Sequence, residues 1–192
     1  GFLTGAVLPN VFLWSASHTA WSYFWSFQAD RFPNPETSWF MIFRHLHGSP
    51  IVEGWWTHGY APLANIVSGL LFLLIAGIVL VREARGHGHG PYEVCLAIIA
   101  IFLLTAKVFS PQYMLWLLPF FALVRLPWKV IAASFAVDIA VVVATNWYFL
   151  EVYRGGPWPA VLNLLEVTVW ARYIVLIWVV WASLRTRERS LA

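Results

Sequence analysis

The sequence predicts an all-α, polytopic transmembrane helical bundle, and three observations carry that expectation. Of the 192 residues, 60% are hydrophobic and only 11% are charged, against about 25% charged in an ordinary soluble domain. Several apolar runs approach the roughly 20 residues a helix needs to cross a bilayer. Nor do these runs alternate with the period of two that marks the strands of a membrane barrel. The 13 Trp and 7 Tyr suit membrane interfaces, where amphipathic rings lie at headgroup level. The partner this composition requires is the lipid bilayer. A formal net charge of +3 is too small for a nucleic acid partner. The single cysteine, Cys95, leaves no disulfide within these residues.

The chain opens with GFLTGAVLPN, which lacks the basic start of a signal peptide. It reads as the tail of a spanning helix near 1–14, so the chain is expected to be the C-terminal portion of a longer protein. A wet, aromatic-rich outer region follows over 15–60. Pro33 and Pro35 break any helix there. Glu36, just after them, suits a new helix's first turn, where an acid complements the helix dipole. Spanning helices are expected near 61–82, 93–109, 111–125, 129–150 and 160–184, about six in all with the truncated first. A cytoplasmic tail occupies 185–192.

Charge sets the orientation. With 15–60 outside, Arg82, Arg85, Arg125, Lys129, Arg185, Arg187 and Arg189 all fall inside, seven of the twelve basic residues. That is the pattern of the positive-inside rule. Asp30, Glu36, Glu53 and Glu151 then lie outside. The expected location is a multi-pass plasma-membrane protein with its chemistry on the outer face and its C-terminus in the cytoplasm.

That outer face collects the informative residues. In KVFSPQYMLW, residues 107–116, Ser110 is a good N-cap and Pro111 a good first helical residue. The amide-rich end of a helix over 111–125 would therefore face outward beside Lys107. Helix N-termini bind phosphate, so the stretch reads as a phosphate cradle at headgroup depth. The plainer alternative is a lysine snorkelling beside a capped helix. Arg172 lies inside the last apolar run. Charges there face protein or a water cavity, either as functional groups or in a structural pair with Glu166 or Asp138. Four histidines, His18, His45, His47 and His58, fall in the outer region. His45 and His47 are two apart and do not share a helix face, so no metal is expected. The run GHGHG at 86–90 reads as a solvated cytoplasmic turn. P-loop, dinucleotide and nucleophile-elbow motifs are missing from these residues, and no cofactor is expected.

KVFSPQYMLWLLPFFAL resembles a signature of the polytopic GT-C glycosyltransferases of family 87, bacterial enzymes that use polyprenyl-phosphate mannose or a related lipid-linked sugar. SFQADRFPNPETSW is similar in part to that family's other outer motif. The resemblance covers most of the chain in layout. It implies a lipid-phosphate sugar donor, a lipid or glycan acceptor, and transfer with inversion. It implies donor-phosphate binding by Lys107, Ser110, Gln112, Arg31 and Arg172, and substrate binding by Gln28, Glu36 and Tyr113. The sequence departs from the pattern at Gln28, where the family has His, at Asn34, where it has Gln, and at Thr37, where it has Ser. Gln28 cannot act as an acid or base. The family's main catalytic base is expected in an external loop before Gly1, and Glu36 is the candidate among the residues present. The alternative function is a transporter or flippase for a lipid-linked or small anionic substrate, with Asp138 and Arg172 on its path. A third is a structural subunit that only packs with partners.

Overall fold

The computed structural model describes residues 2–47, 61–86 and 88–185. All regular elements among these residues are helical. The expectations for His58, Glu53 and the tail beyond Arg185 lie outside the described residues.

Helix α1 (Phe2–Ala16) leads through Ser17 into α2 (His18–Asp30). Ser17 caps α2, its hydroxyl accepting from the Ala20 amide at 3.2 Å. Helix α3 spans Ser38–His47. The outer region is thus more ordered than a loop, since α2 and α3 occupy much of it. Among the described residues of that region, 31–37 is the irregular segment between α2 and α3, where the two prolines interrupt. Thr37 caps α3 by accepting from the Phe40 amide at 3.2 Å. Glu36 therefore lies two residues before α3, rather than in its first turn as the sequence suggests.

Helices α4 (Ala61–Ala84), α5 (Pro91–Thr105), α6 (Leu118–Leu123), α7 (Trp128–Arg154) and α8 (Trp158–Ser183) complete the chain. Three of them, α4, α7 and α8, are long and apolar enough to cross a membrane. The expected spans at 93–109 and 111–125 take another form. Helix α5 has 15 residues, a rise of about 22 Å against about 30 Å of hydrocarbon. The return limb begins as a 3-10 helix, Pro111–Leu117, and ends in the six residues of α6. It rises about 23 Å.

Together these limbs form a helical hairpin along α8. Before α5, His89 Nε2 meets the Leu184 carbonyl at 2.5 Å. At the tip, the Phe109 carbonyl accepts from Arg172 Nη2 at 3.3 Å. After α6, Arg125 shares a recess with Arg185. The hairpin climbs from one end of α8 to its middle and comes back.

The core runs between α7, α8 and this hairpin. Val130, Val141 and Ala144 of α7 pack with Leu162, Leu165, Val169, Leu176 and Val179 of α8. Helix α4 is far more exposed, with Leu70 and Leu73 open, as a lipid-facing helix should be. Gly155 ends α7 in the left-handed region at φ 67°, where a residue without Cβ costs least. Its amide and that of Gly156 return to the Val152 and Glu151 carbonyls, closing the turn into α8.

Candidate functional site

Two segments more than 70 residues apart in sequence meet at the middle of α8. Asn34 Nδ2 donates to Ser110 Oγ at 2.8 Å. Arg31 Nη2 reaches Asn34 Oδ1 at 3.5 Å. Trp39 Nε1 donates to the Thr105 carbonyl at 3.2 Å. Irregular backbone survives at membrane depth only inside protein or beside water, and these bonds meet that requirement for the turn at 106–110.

Arg172 holds the two segments from below. It is fully buried. Its Nη2 donates to the Glu36 and Phe109 carbonyls, and its guanidinium carbon lies 3.9 Å over the Phe109 ring. Nη1 pairs with Asp138 Oδ1 at 3.4 Å. Of the two structural pairs the sequence left open, the Asp138 pair forms. Glu166 instead meets Arg44 at 2.7 Å and His45 at 2.6 Å, one and a half turns nearer the start of α8. Next to Arg172, the Tyr173 hydroxyl accepts from the Ser38 amide at 3.1 Å and anchors the start of α3.

Lys107 is buried at the hairpin tip. Its Nζ donates to the Ala29 carbonyl at 2.5 Å, and Asn65 Nδ2 donates to the same oxygen at 2.8 Å. These donors satisfy a carbonyl at the C-terminal end of α2, where a cation also complements the dipole. Burial lowers the Lys107 ammonium to about 8. The Asp30 carboxylate opposes that shift and Arg31 adds to it.

Glu36 is buried too, within electrostatic reach of Arg172 and Arg31. Among the described residues its Oε2 has no hydrogen-bond partner. Burial raises its pKa above the ordinary carboxylate value, against the opposing pull of its own backbone amide, Arg172 and Arg31. A buried carboxyl with an unmade bond is costly, and such groups concentrate where chemistry needs them.

The sequence-derived set is therefore assembled in part. Arg31, Glu36, Lys107, Ser110 and Arg172 converge. Gln112 is exposed on the 3-10 turn, and half-buried Tyr113 packs at a tilt against the Trp116 ring, centroids 4.9 Å apart. The side chain of Gln28 lies outside the described residues. Pro111 opens a seven-residue 3-10 helix that passes into the short α6, and not the single long α-helix expected. Ser110 Oγ accepts from Asn34 and makes no cap bond. The expected solvated turn at 86–90 also differs, since His89 is largely buried and bonds Glu83 and Leu184.

Sequence reasoning missed Phe109, Asn34 and Tyr173 as the parts that lock the site. Asn34 and Phe109 did stand within the two outer motifs, whereas the only signal for Tyr173 was adjacency to Arg172. Among the described residues, no three His, Cys, Asp or Glu side chains gather as metal ligands. Comparison with known proteins gives no match to a family model, a curated protein or a solved structure.

Proposed function

We propose that the protein is a membrane glycosyltransferase that moves a hexose, mannose foremost, from a polyprenyl-phosphate donor to a lipid or glycan acceptor, with inversion. The observation that supports it best is the buried, incompletely bonded Glu36 carboxyl held near Arg31 and Arg172, with buried Lys107 on the other side of Arg31 beside Asp30. The reading includes a GT-C-like bundle in the plasma membrane, with the hairpin of α5 and α6 entering from the cytoplasmic side and the site open to the outer side.

In this mechanism the acceptor hydroxyl oxygen bonds to the anomeric carbon as the carbon–oxygen bond to phosphate breaks. The electron pair leaves on the phosphate. Arg31 and Lys107 oppose the growing charge, which in a site shielded from water is worth more than in solution. Lys107 would exchange the Ala29 carbonyl for a phosphate oxygen. Arg172 keeps its bonds to the two loop carbonyls and holds Glu36 in register. The hydroxyl proton passes to a carboxylate, for which Glu36 is the candidate among these residues. A lipid-linked donor needs no nucleotide pocket, and its chain can remain among the lipids beside the exposed face of α4.

A transporter would also use a mid-helix Asp138–Arg172 pair. Here that pair is closed over by Glu36 and Phe109, which favours a fixed site over an alternating path. The test is a photoreactive polyprenyl phosphate added to the full chain in membranes. It should crosslink to residues 105–113, and unlabelled polyprenyl-phosphate mannose should displace it. Crosslinking confined to the arginine-rich end of α8 would reject the site.

A further inference from the structure

The opposite end of α8 carries two recesses that the transfer reaction does not use. One, of about 240 Å3, is lined by Arg82, Glu83, His89, Trp181 and Arg185 among others. The second, of about 430 Å3, is lined by Arg125, Leu126, Pro127, Trp181, Ala182 and Arg185. Trp181 and Arg185 belong to both, so the recesses meet at that pair. The Arg185 guanidinium carbon lies 4.0 Å over the Trp181 ring. Thirteen residues of α8 separate this end from Arg172, about 20 Å.

Three arginines thus rim one amphipathic depression at the ends of spanning helices. Its one acidic neighbour among the described lining residues, Glu83, turns one oxygen to the His89 backbone amide at 3.2 Å and the other to the His89 ring. Three arginines against one carboxylate give the described lining a net positive charge. At about 30 Å3 per water, the first recess alone has room for a phosphate and its glycerol. Arginine suits phosphate because its planar donors can bind two oxygens at once. The helix faces that lead away from it are apolar, with Leu74 60% and Ile177 58% exposed one turn before Ile78 and Trp181. A free anion would use only the rim, whereas a phospholipid would use the rim and the apolar surface together.

We propose that Arg82, Arg125 and Arg185, meeting around Trp181, form a binding site for the headgroup of an anionic phospholipid, with its acyl chains on the adjoining exposed face of α4 and α8. Basic pockets between helices at a membrane surface bind such headgroups. The site is independent of the transfer reading. It would tie the C-terminal ends of α4 and α8 to the segment after α6, and so steady the hairpin that carries Lys107.

Native mass spectrometry of the full chain in detergent, titrated with phosphatidylglycerol or phosphatidylcholine, tests it. The expected result is preferential retention of phosphatidylglycerol, reduced about fivefold by Arg185→Gln and further by Arg82→Gln with Arg185→Gln. Lys129→Gln, at the same end but outside both recesses, should leave the preference unchanged. If Arg185→Gln fails to fold, Arg125→Gln decides, with the same expected loss. Equal retention of the two lipids would overturn the site, as would an equal loss with Lys129→Gln. Full displacement of phosphatidylglycerol by inorganic phosphate would also overturn it, in favour of a free-anion site.

Discussion

Lys107 is the residue on which the functional account turns. It does a structural job, since it caps the Ala29 carbonyl, yet it lies beside Arg31 and Asp30 at the tip of a polar turn inside an apolar bundle. Because burial lowers its pKa to about 8, the charge is present below that pH and is lost as pH rises through it, well before an ordinary lysine would titrate near 10.4. Donor binding by the wild type should therefore fall above about pH 8. Lys107→Arg, which stays charged, should flatten that limb. A profile that does not change in the arginine variant would show that another group sets it. Arg172 makes the matching structural prediction. Arg172→Ala leaves Asp138 and two loop carbonyls without their donor, and removal of one partner from a buried pair costs about 3–5 kcal/mol. Thermal unfolding in detergent should show that loss, and Arg172→Ala with Asp138→Ala should recover part of it.

The hairpin is the element that the sequence conceals. Its apolar runs at 93–109 and 111–125 are long enough to be read as two crossings, because hydropathy counts residues and not their rise. What ends α5 at Thr105 is non-local. Trp39 takes the Thr105 carbonyl, Asn34 takes Ser110, and Arg172 takes Phe109. No window of neighbouring residues contains those partners. The punctuation itself was legible, since Ser110 and Pro111 do mark a break and a fresh start. What differs is the form of the helix behind them, which begins as a 3-10 helix. Packing around the hairpin also sorts the long helices. Leu165 is fully buried while Leu73 is 66% exposed. Leu165→Ala should cost about 2 kcal/mol or more through the cavity it leaves, because helices within lipid are held by close packing. Leu73→Ala should change the melting temperature little. Equal effects at the two positions would mean that α4 is covered and not lipid-facing.

At the scale of the whole molecule, composition and charge revealed the helical membrane class and the polarity of the bundle. Arg82, Arg125 and Arg185, scattered over more than 100 residues, come together at one end, as the positive-inside pattern required. The two outer motifs likewise come together at the middle of α8. Among the described residues, three helices are long and apolar enough to cross a membrane, and the two hairpin limbs are shorter than the sequence suggests. Orientation can be measured by cysteine labelling in a Cys95→Ser background. Tyr153→Cys, at the exposed α7–α8 turn, should label from outside, and Arg85→Cys should not. The reverse pattern would place the cationic recesses outside. The most direct test of the central claim is sugar transfer by the full chain in membrane vesicles supplied with radiolabelled polyprenyl-phosphate mannose. Wild type should move label into lipid or glycan product, and Lys107→Ala should lose at least about a hundredfold while still inserting in the membrane. Transfer that survives undiminished in Lys107→Ala, or no transfer by wild type from any lipid-phosphate sugar, would contradict the account.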